Sequence, residues 1–277
     1  MKVTRDTITS RKNPLVMMAA SLSEKKYRDE HALFAAPGYK LCCEALAAGA
    51  PIAHVLLSEE YAAHHLAEIE EKFSDERYAD TVLTIVSRGC FEKITTEKAP
   101  EGIILLIKYL DISKKYIKIK DVGFFDSGKR VVFLHSVRDP GNLGTVIRSA
   151  GAFGIDCVLL SEDCADLYHP RAVRAAMGAI FRVPTLRVSD TLETVRELSQ
   201  MGRRTLAAEL RPRALPIHAV GLRADDVIMI GNEGHGIPEE ISAACSASVY
   251  IPIAPSAESL NAAAAASVLL WEHSKVK

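Results

Sequence analysis

Residues 138–154 read RDPGNLGTVIRSAGAFG. The stretch sets a polar, glycine-rich turn between a buried-strand pattern, Val131 to Leu134, and apolar residues at helical spacing from Gly144 to Phe153. Glycine lets a backbone approach a ligand closely, and open α/β sheets bind their ligands at this kind of strand-to-helix edge. The same stretch keeps Asn142 and Arg148 within about two helical turns of each other. Two later stretches share its character: IMIGNEGHGIP at 228–238 and IPIAPSAESLNAAAAASVLLWE at 251–272.

Around them, strands and helices alternate. In the C-terminal half, apolar runs at 157–161, 205–208, 227–231 and 248–253 read as strands. Periodic segments at 170–181, 191–201 and 260–273 read as helices. Strands this apolar imply a mainly parallel sheet covered on both faces. The N-terminal half opens with a helix over 10–28, which Asn13 can cap and Pro14 can start. Strands at 33–35, 55–58, 82–86 and 103–107 then alternate with helices at 39–48, 60–73 and 89–94, a small α/β domain ending near Lys108. From Tyr109 to Arg130 periodicity fades. The expected division is a domain over 1–108, a linker over 109–130 and a second domain over 131–277.

Bulk properties narrow the function classes. The chain has 277 residues, 48% of them hydrophobic, and no apolar run long enough to span a bilayer. MKVTRDTITSRKNP lacks the apolar core of a signal peptide, so a cytoplasmic protein without membrane association is expected. The six cysteines and nine histidines show no ligand spacing, and no metal is expected. A net charge of −1 argues against indiscriminate coating of nucleic acid. Basic clusters remain at Arg5, Arg11 and Lys12; Lys25, Lys26 and Arg28; Lys114, Lys115, Lys118 and Lys120; and Arg203, Arg204, Arg211 and Arg213, enough for a basic face.

Taken in order, the three glycine- and asparagine-containing stretches resemble the motifs of the SpoU (TrmH-like) RNA ribose 2′-O-methyltransferases, a branch of the SPOUT superfamily. The resemblance runs from about Arg130 to the end. FAAPGYKLCCEALAAG at 34–49 and TTEKAPEGIILLIK at 95–108 are similar to the substrate-binding domain of that family, which has a ribosomal-protein-like fold. The resemblance implies a C-terminal α/β domain closed as a deep trefoil knot, a topology that general rules would not suggest. It further implies S-adenosylmethionine as cofactor, tRNA or rRNA as partner, and a homodimer with its active sites at the subunit interface.

It also assigns roles. Ala208, Glu209, Gly231, Asn232, Gly234, Ile251, Ile253 and Leu260 would bind the cofactor. Asn142, Arg148, Glu233, Ser259 and Asn261 would form the catalytic set, and Arg171 and Arg174, within YHPRAVRAAMGAIFRVP at 168–184, would contact RNA. Each residue also has a plainer reading: a tight turn for the glycines, a solvated carboxylate for Glu233, N-caps for Ser259 and Asn261 opening the last helix, a structural ion pair for Arg148. A guanidinium stays protonated, so Arg148 suits a clamp on the target phosphate better than a base. Ala176 and Ala263 stand where the family often has serine, which keeps open a non-catalytic RNA-binding relative. A Rossmann-type nucleotide enzyme is disfavoured by the absence of G-x-G-x-x-G at Pro140 to Gly144.

Overall fold

The run IILLI at 103–107 dictates the centre of the N-terminal sheet: five consecutive apolar residues, all buried, can only be an inner strand. The computed structural model describes residues 1–110, 116–119, 125 and 128–276. Lys114, Lys115 and Lys120 lie outside the described residues, as do most of the expected linker and the side chain of Arg5. The first unit contains β1 (Lys2–Ile8), α1 (Pro14–Ser21), α2 (Lys25–His31), β2 (Leu33–Pro37), α3 (Tyr39–Ala47), β3 (Ile52–Ser58), α4 (Glu59–Lys72), β4 (Val82–Val86), α5 (Arg88–Ile94) and β5 (Ile103–Lys108). The sheet order is β1-β4-β3-β5-β2, with β5 antiparallel to both neighbours and the rest parallel. Strand β1 was not anticipated, because its charged residues suit an edge and mask the pattern.

The single helix expected over 10–28 is two. Asn13 caps α1 by accepting from Leu15 N at 2.9 Å, with Pro14 in the first position, as expected. The break follows because the Ser21 and Ser23 hydroxyls donate to the Met18 and Ala20 carbonyls at 2.7 and 3.1 Å. Arg28 then turns back, donating to the Leu22 and Ser23 carbonyls at 2.8 Å each. Arg28 is therefore buried and serves the scaffold, not a basic surface.

The second unit begins with β6 (Val131–Leu134), α6 (Pro140–Ala152) and β7 (Cys157–Leu160). Helix α6 starts four residues earlier than expected. Asp139 caps it by accepting from Asn142 N at 2.9 Å and Pro140 takes the first position, so PGNLG is a helical turn and the true loop is 135–139. After β7 the chain contributes Tyr168–Phe181 to the first unit. There the Tyr168 ring stacks on Phe34 and Tyr109, with centroids 4.5 and 4.2 Å away, and its hydroxyl accepts from Leu110 N at 2.9 Å. The helix expected over 170–181 is split into α7 (Pro170–Ala176) and α8 (Ala179–Arg182) at Met177, whose φ is 50°.

The second unit continues with β8 (Thr185–Arg187), α9 (Thr191–Gln200), β9 (Thr205–Ala208), β10 (Leu215–Pro216), β11 (Val227–Ile230), α10 (Glu239–Ala244), β12 (Ala247–Tyr250) and α11 (Ala262–Ser274). All seven strands are parallel, in the order β10-β12-β9-β11-β6-β7-β8. Alternate residues Val131, Phe133, Leu159 and Met229 join Val195 and Leu198 of α9 and Ile241 of α10 in one core. α6 packs on β7 and on α11, which lies on β11. The short elements β8, β10 and α10 carry too few residues for a periodic signal.

The quartet Arg203, Arg204, Arg211 and Arg213 does not form a basic face. Arg203 is buried and donates to the Asp225 and Lys129 carbonyls; Arg204 holds Asp226 at 2.6 and 2.8 Å. Arg211 and Arg213 pair with Glu209 and Glu239. Asp226 is wholly buried and also accepts from Arg223 N at 2.7 Å. Asp226→Ala strands the Arg204 guanidinium and should lower unfolding stability by about 3 kcal/mol, read as a drop in the urea midpoint.

Candidate active site

Parallel strands end together, and the C-terminal ends of β9, β11 and β12 open onto a cleft of about 230 Å³. Its walls are largely apolar, from Ala208, Leu210, Ile230, Ile251, Ile253, Leu260 and Leu269, with Asn232, Glu233 and Ser259 as polar groups. Seven residues expected at a cofactor site line it: Ala208, Glu209, Gly231, Asn232, Ile251, Ile253 and Leu260. Leu210, Tyr250 and Leu269 line it too and were missed. Leu210 is the second residue after β9, so its place just beyond a strand end was the available signal, and it is 62% exposed.

The loop after β11 is a tight device. A Cβ on Gly231 would lie 2.5 Å from the Gly236 carbonyl carbon, so only glycine fits. Asn232 and Gly236 exchange backbone hydrogen bonds of 3.1 and 3.0 Å. The Asn232 Oδ1 accepts from Gly234 N at 2.8 Å and His235 N at 3.1 Å, while its Nδ2 donates to the Ser136 carbonyl at 2.7 Å. Gly234 spends its N–H inside this turn and does not line the cleft.

Three expected catalytic residues, from three separate elements, meet in one chain of hydrogen bonds. Asn261 Nδ2 donates to Asn142 Oδ1 at 3.1 Å, and Asn142 Nδ2 donates to Glu233 Oε1 at 2.8 Å. Asn261 is at the same time the N-cap of α11, accepting from Ala263 N and Ala264 N at 2.9 and 3.3 Å. Ser259 lies two residues before that cap, in the preceding loop and on the cleft wall, not in the helix. Arg148 sits on α6 with Asn142. It is exposed and has no ion-pair or hydrogen-bond partner among the described residues, so the structural ion pair is not its role. Arg171, exposed, and Arg174, half-buried, lie on α7 of the first unit. Ala176 and Ala263 are buried and neither lines the cleft, so these substitutions take no hydroxyl from its wall.

Glu209 touches the cleft, yet its carboxylate faces the scaffold. It accepts from the Ser242 and Ser248 hydroxyls at 2.5 Å each and from Arg211 Nε at 2.9 Å. Burial opposes its ionisation, but these two hydroxyls and the arginine outweigh it and hold the carboxyl below its usual range. Among the described residues no group of His, Cys, Asp or Glu could hold a metal ion. Burial pushes the Cys42 and Cys157 thiols up to about 12, which leaves them inert.

The sequence model of the SpoU rRNA Methylase family matches residues 129–271, just over half of the chain. The chain belongs to the SpoU rRNA methylase family. The model of the MRM3-like substrate binding domain matches residues 13–105 ahead of it. The SpoU relatives include the 23S rRNA (guanosine(2553)-2′-O)-methyltransferase RlmP of Bacillus subtilis, 27% identical over 95% of this chain and 97% of its own length. The crystal structure of an rRNA methyltransferase from Sinorhizobium meliloti superposes with a TM-score of 0.83 at 29% identity, covering 99% of this chain and 98% of that one. Its AdoMet-bound form gives 0.81 at 28% identity, with the same coverage. The SpoU match takes in the cleft and the Asn142, Glu233 and Asn261 chain; the substrate-binding match lies within the first unit.

A carboxyl held below its usual range stabilises the fold above the unfolded value and loses that contribution as pH falls through the folded one. Glu209→Gln should therefore lower the melting temperature at pH 7. The gap from the unsubstituted protein should close on acidification below about pH 4.

Proposed function

We propose that the cleft takes S-adenosylmethionine and that the protein methylates a ribose 2′-hydroxyl in rRNA or tRNA. When bound, S-adenosylmethionine supplies an electrophilic methyl group on a sulfonium. The residues present suit it: apolar walls for an adenine, with Gly231, Asn232, Ile251 and Leu260 among the residues that line the cleft. The observation that carries the reading is the Asn261–Asn142–Glu233 chain beside the cleft, with an unpaired guanidinium, Arg148, on the same helix as Asn142.

Each residue then has a physical task. Arg148 clamps the target phosphate through two parallel N–H donors, which positions the 2′-hydroxyl and offsets charge that develops on it. It cannot accept the proton, so that passes to the phosphate or to water. Asn142 fixes the ribose side of the site while Glu233 and Asn261 hold its amide in place, and Ser259 offers a hydroxyl from the wall. Arg171 and Arg174, with the MRM3-like domain, contact the RNA. The knot expected of the family would thread the C-terminal segment that lines the cleft.

We further propose a homodimer formed along α11. Ala264, Val268 and Trp271 are exposed at spacings of four and three, a single apolar stripe on the helix. The cytoplasm is the proposed place of action; no helix among the described residues is long and apolar enough to cross a membrane.

Calorimetric titration of S-adenosylmethionine into the protein and its Arg148→Ala variant tests the reading, followed by transfer of a labelled methyl group to rRNA. Both proteins should bind the cofactor, and the variant should lose transfer by roughly a hundredfold or more. Absence of binding to either overturns the catalytic assignment in favour of a non-catalytic RNA-binding relative. For the dimer, Trp271→Glu should shift the mass measured by light scattering from two chains toward one.

A further inference from the structure

Ser136 lies in the loop between β6 and α6 with a φ of 55°, a left-handed conformation that a non-glycine residue adopts only when its surroundings impose it. It is buried, and each of its polar groups is engaged. Its N–H donates to Ser161 Oγ at 2.8 Å, its hydroxyl donates to Asp163 Oδ2, and its carbonyl accepts from Asn232 Nδ2 at 2.7 Å. Ser161 donates its own hydroxyl to the other Asp163 oxygen, Oδ1, at 2.7 Å. One carboxylate thus gathers two serine hydroxyls, and the second of these serines receives the N–H of the first. Arg138 stands 3.5 Å from Oδ2 on the solvent side.

The strained residue faces the cofactor loop. The Ser136 carbonyl is the one acceptor of the Asn232 amide among the described residues. The orientation of that amide decides whether Oδ1 can take the Gly234 and His235 N–H groups. With the left-handed turn relaxed, the carbonyl swings away, Asn232 is free to rotate, and the turn over 232–236 loses its side-chain staple.

We propose that Asp163 is a positioning residue for the cofactor loop: through Ser136 it holds Asn232, and with it residues 232–236, in the conformation that lines the cleft. The proposal rests on the reading of that cleft as the S-adenosylmethionine site. Asp163 lines no part of the cleft and reaches Asn232 by way of Ser136, which it holds both directly and through Ser161. Partial burial opposes its ionisation, but the Ser136 and Ser161 hydroxyls hold its carboxyl down at about 2, so the anchor stays charged throughout the working range of pH.

The side chain of Asp163 is 42% exposed, so its removal leaves no buried void in the fold. Cofactor affinity by calorimetry and amide hydrogen exchange of 231–237 are measured in the full chain, in Asp163→Ala, in Asp163→Asn, and in Ser136→Gly with Asp163→Ala. Asp163→Ala should weaken cofactor binding by roughly tenfold and speed exchange in the loop. Asp163→Asn, which keeps one acceptor oxygen, should fall between. Glycine adopts the left-handed turn without strain, so Ser136→Gly should restore most of the affinity and protection lost in Asp163→Ala. Unchanged affinity and exchange in Asp163→Ala overturn the proposal, as does a failure of Ser136→Gly to rescue it. A full chain that takes up no S-adenosylmethionine overturns the functional reading and this inference together, a result distinct from both.

Discussion

Asn142 can join Asn261 to Glu233 because a primary amide is donor and acceptor at once. Its oxygen takes the Asn261 N–H and its nitrogen serves the Glu233 carboxylate. Aspartate there would repel Glu233, leucine would satisfy neither, and a hydroxyl is too short to reach both. The three residues arrive on the first turn of α6, the loop after β11 and the cap of α11, so the amide also pins three segments far apart in sequence. Asn261 could not take part if its oxygen were needed there, since capping consumes it; only its nitrogen is free for Asn142.

The sheet gives this arrangement its setting. Parallel pairing brings β9, β11 and β12 to a common edge, and each of the following turns supplies one wall of the cleft. The turns differ in how they are held. That after β11 relies on glycine at 231 and the Asn232 side chain, that after β9 on the Glu209 carboxylate with Ser242, Ser248 and Arg211. Charge used in this way is structural, which is why Arg203, Arg204, Arg211 and Arg213 contribute little to a surface field.

Much of this was legible because its causes are local. Val131 to Leu134, Thr205 to Ala208 and Val227 to Ile230 are apolar runs that parallel pairing buries on both faces, and they stand where the pattern puts them. Residues that the resemblance names, among them Ala208, Gly231, Asn232 and Ser259, line one cleft. Local rules compete at the start of α6: Asp139-Pro140 is a helix start, while Gly141 and Gly144 favour a turn. Other features have no local signature. Nothing in the neighbourhood of Arg203 marks it for burial, since the Lys129 and Asp225 carbonyls that hold it are brought to it by folding. The Tyr168 stack depends on Phe34 and Tyr109, more than fifty residues away in the chain.

The insertion of Tyr168–Phe181 into the first unit bears on the order in which the protein can be made. A chain emerging from the ribosome presents Phe34 and Tyr109 well before Tyr168, the ring that covers them both. The N-terminal unit must wait, with an aromatic surface open, until β6, α6 and β7 have followed it out. Its completion is thus tied to synthesis of the unit that carries the cleft, and a nascent chain stalled in between is the species in need of a chaperone.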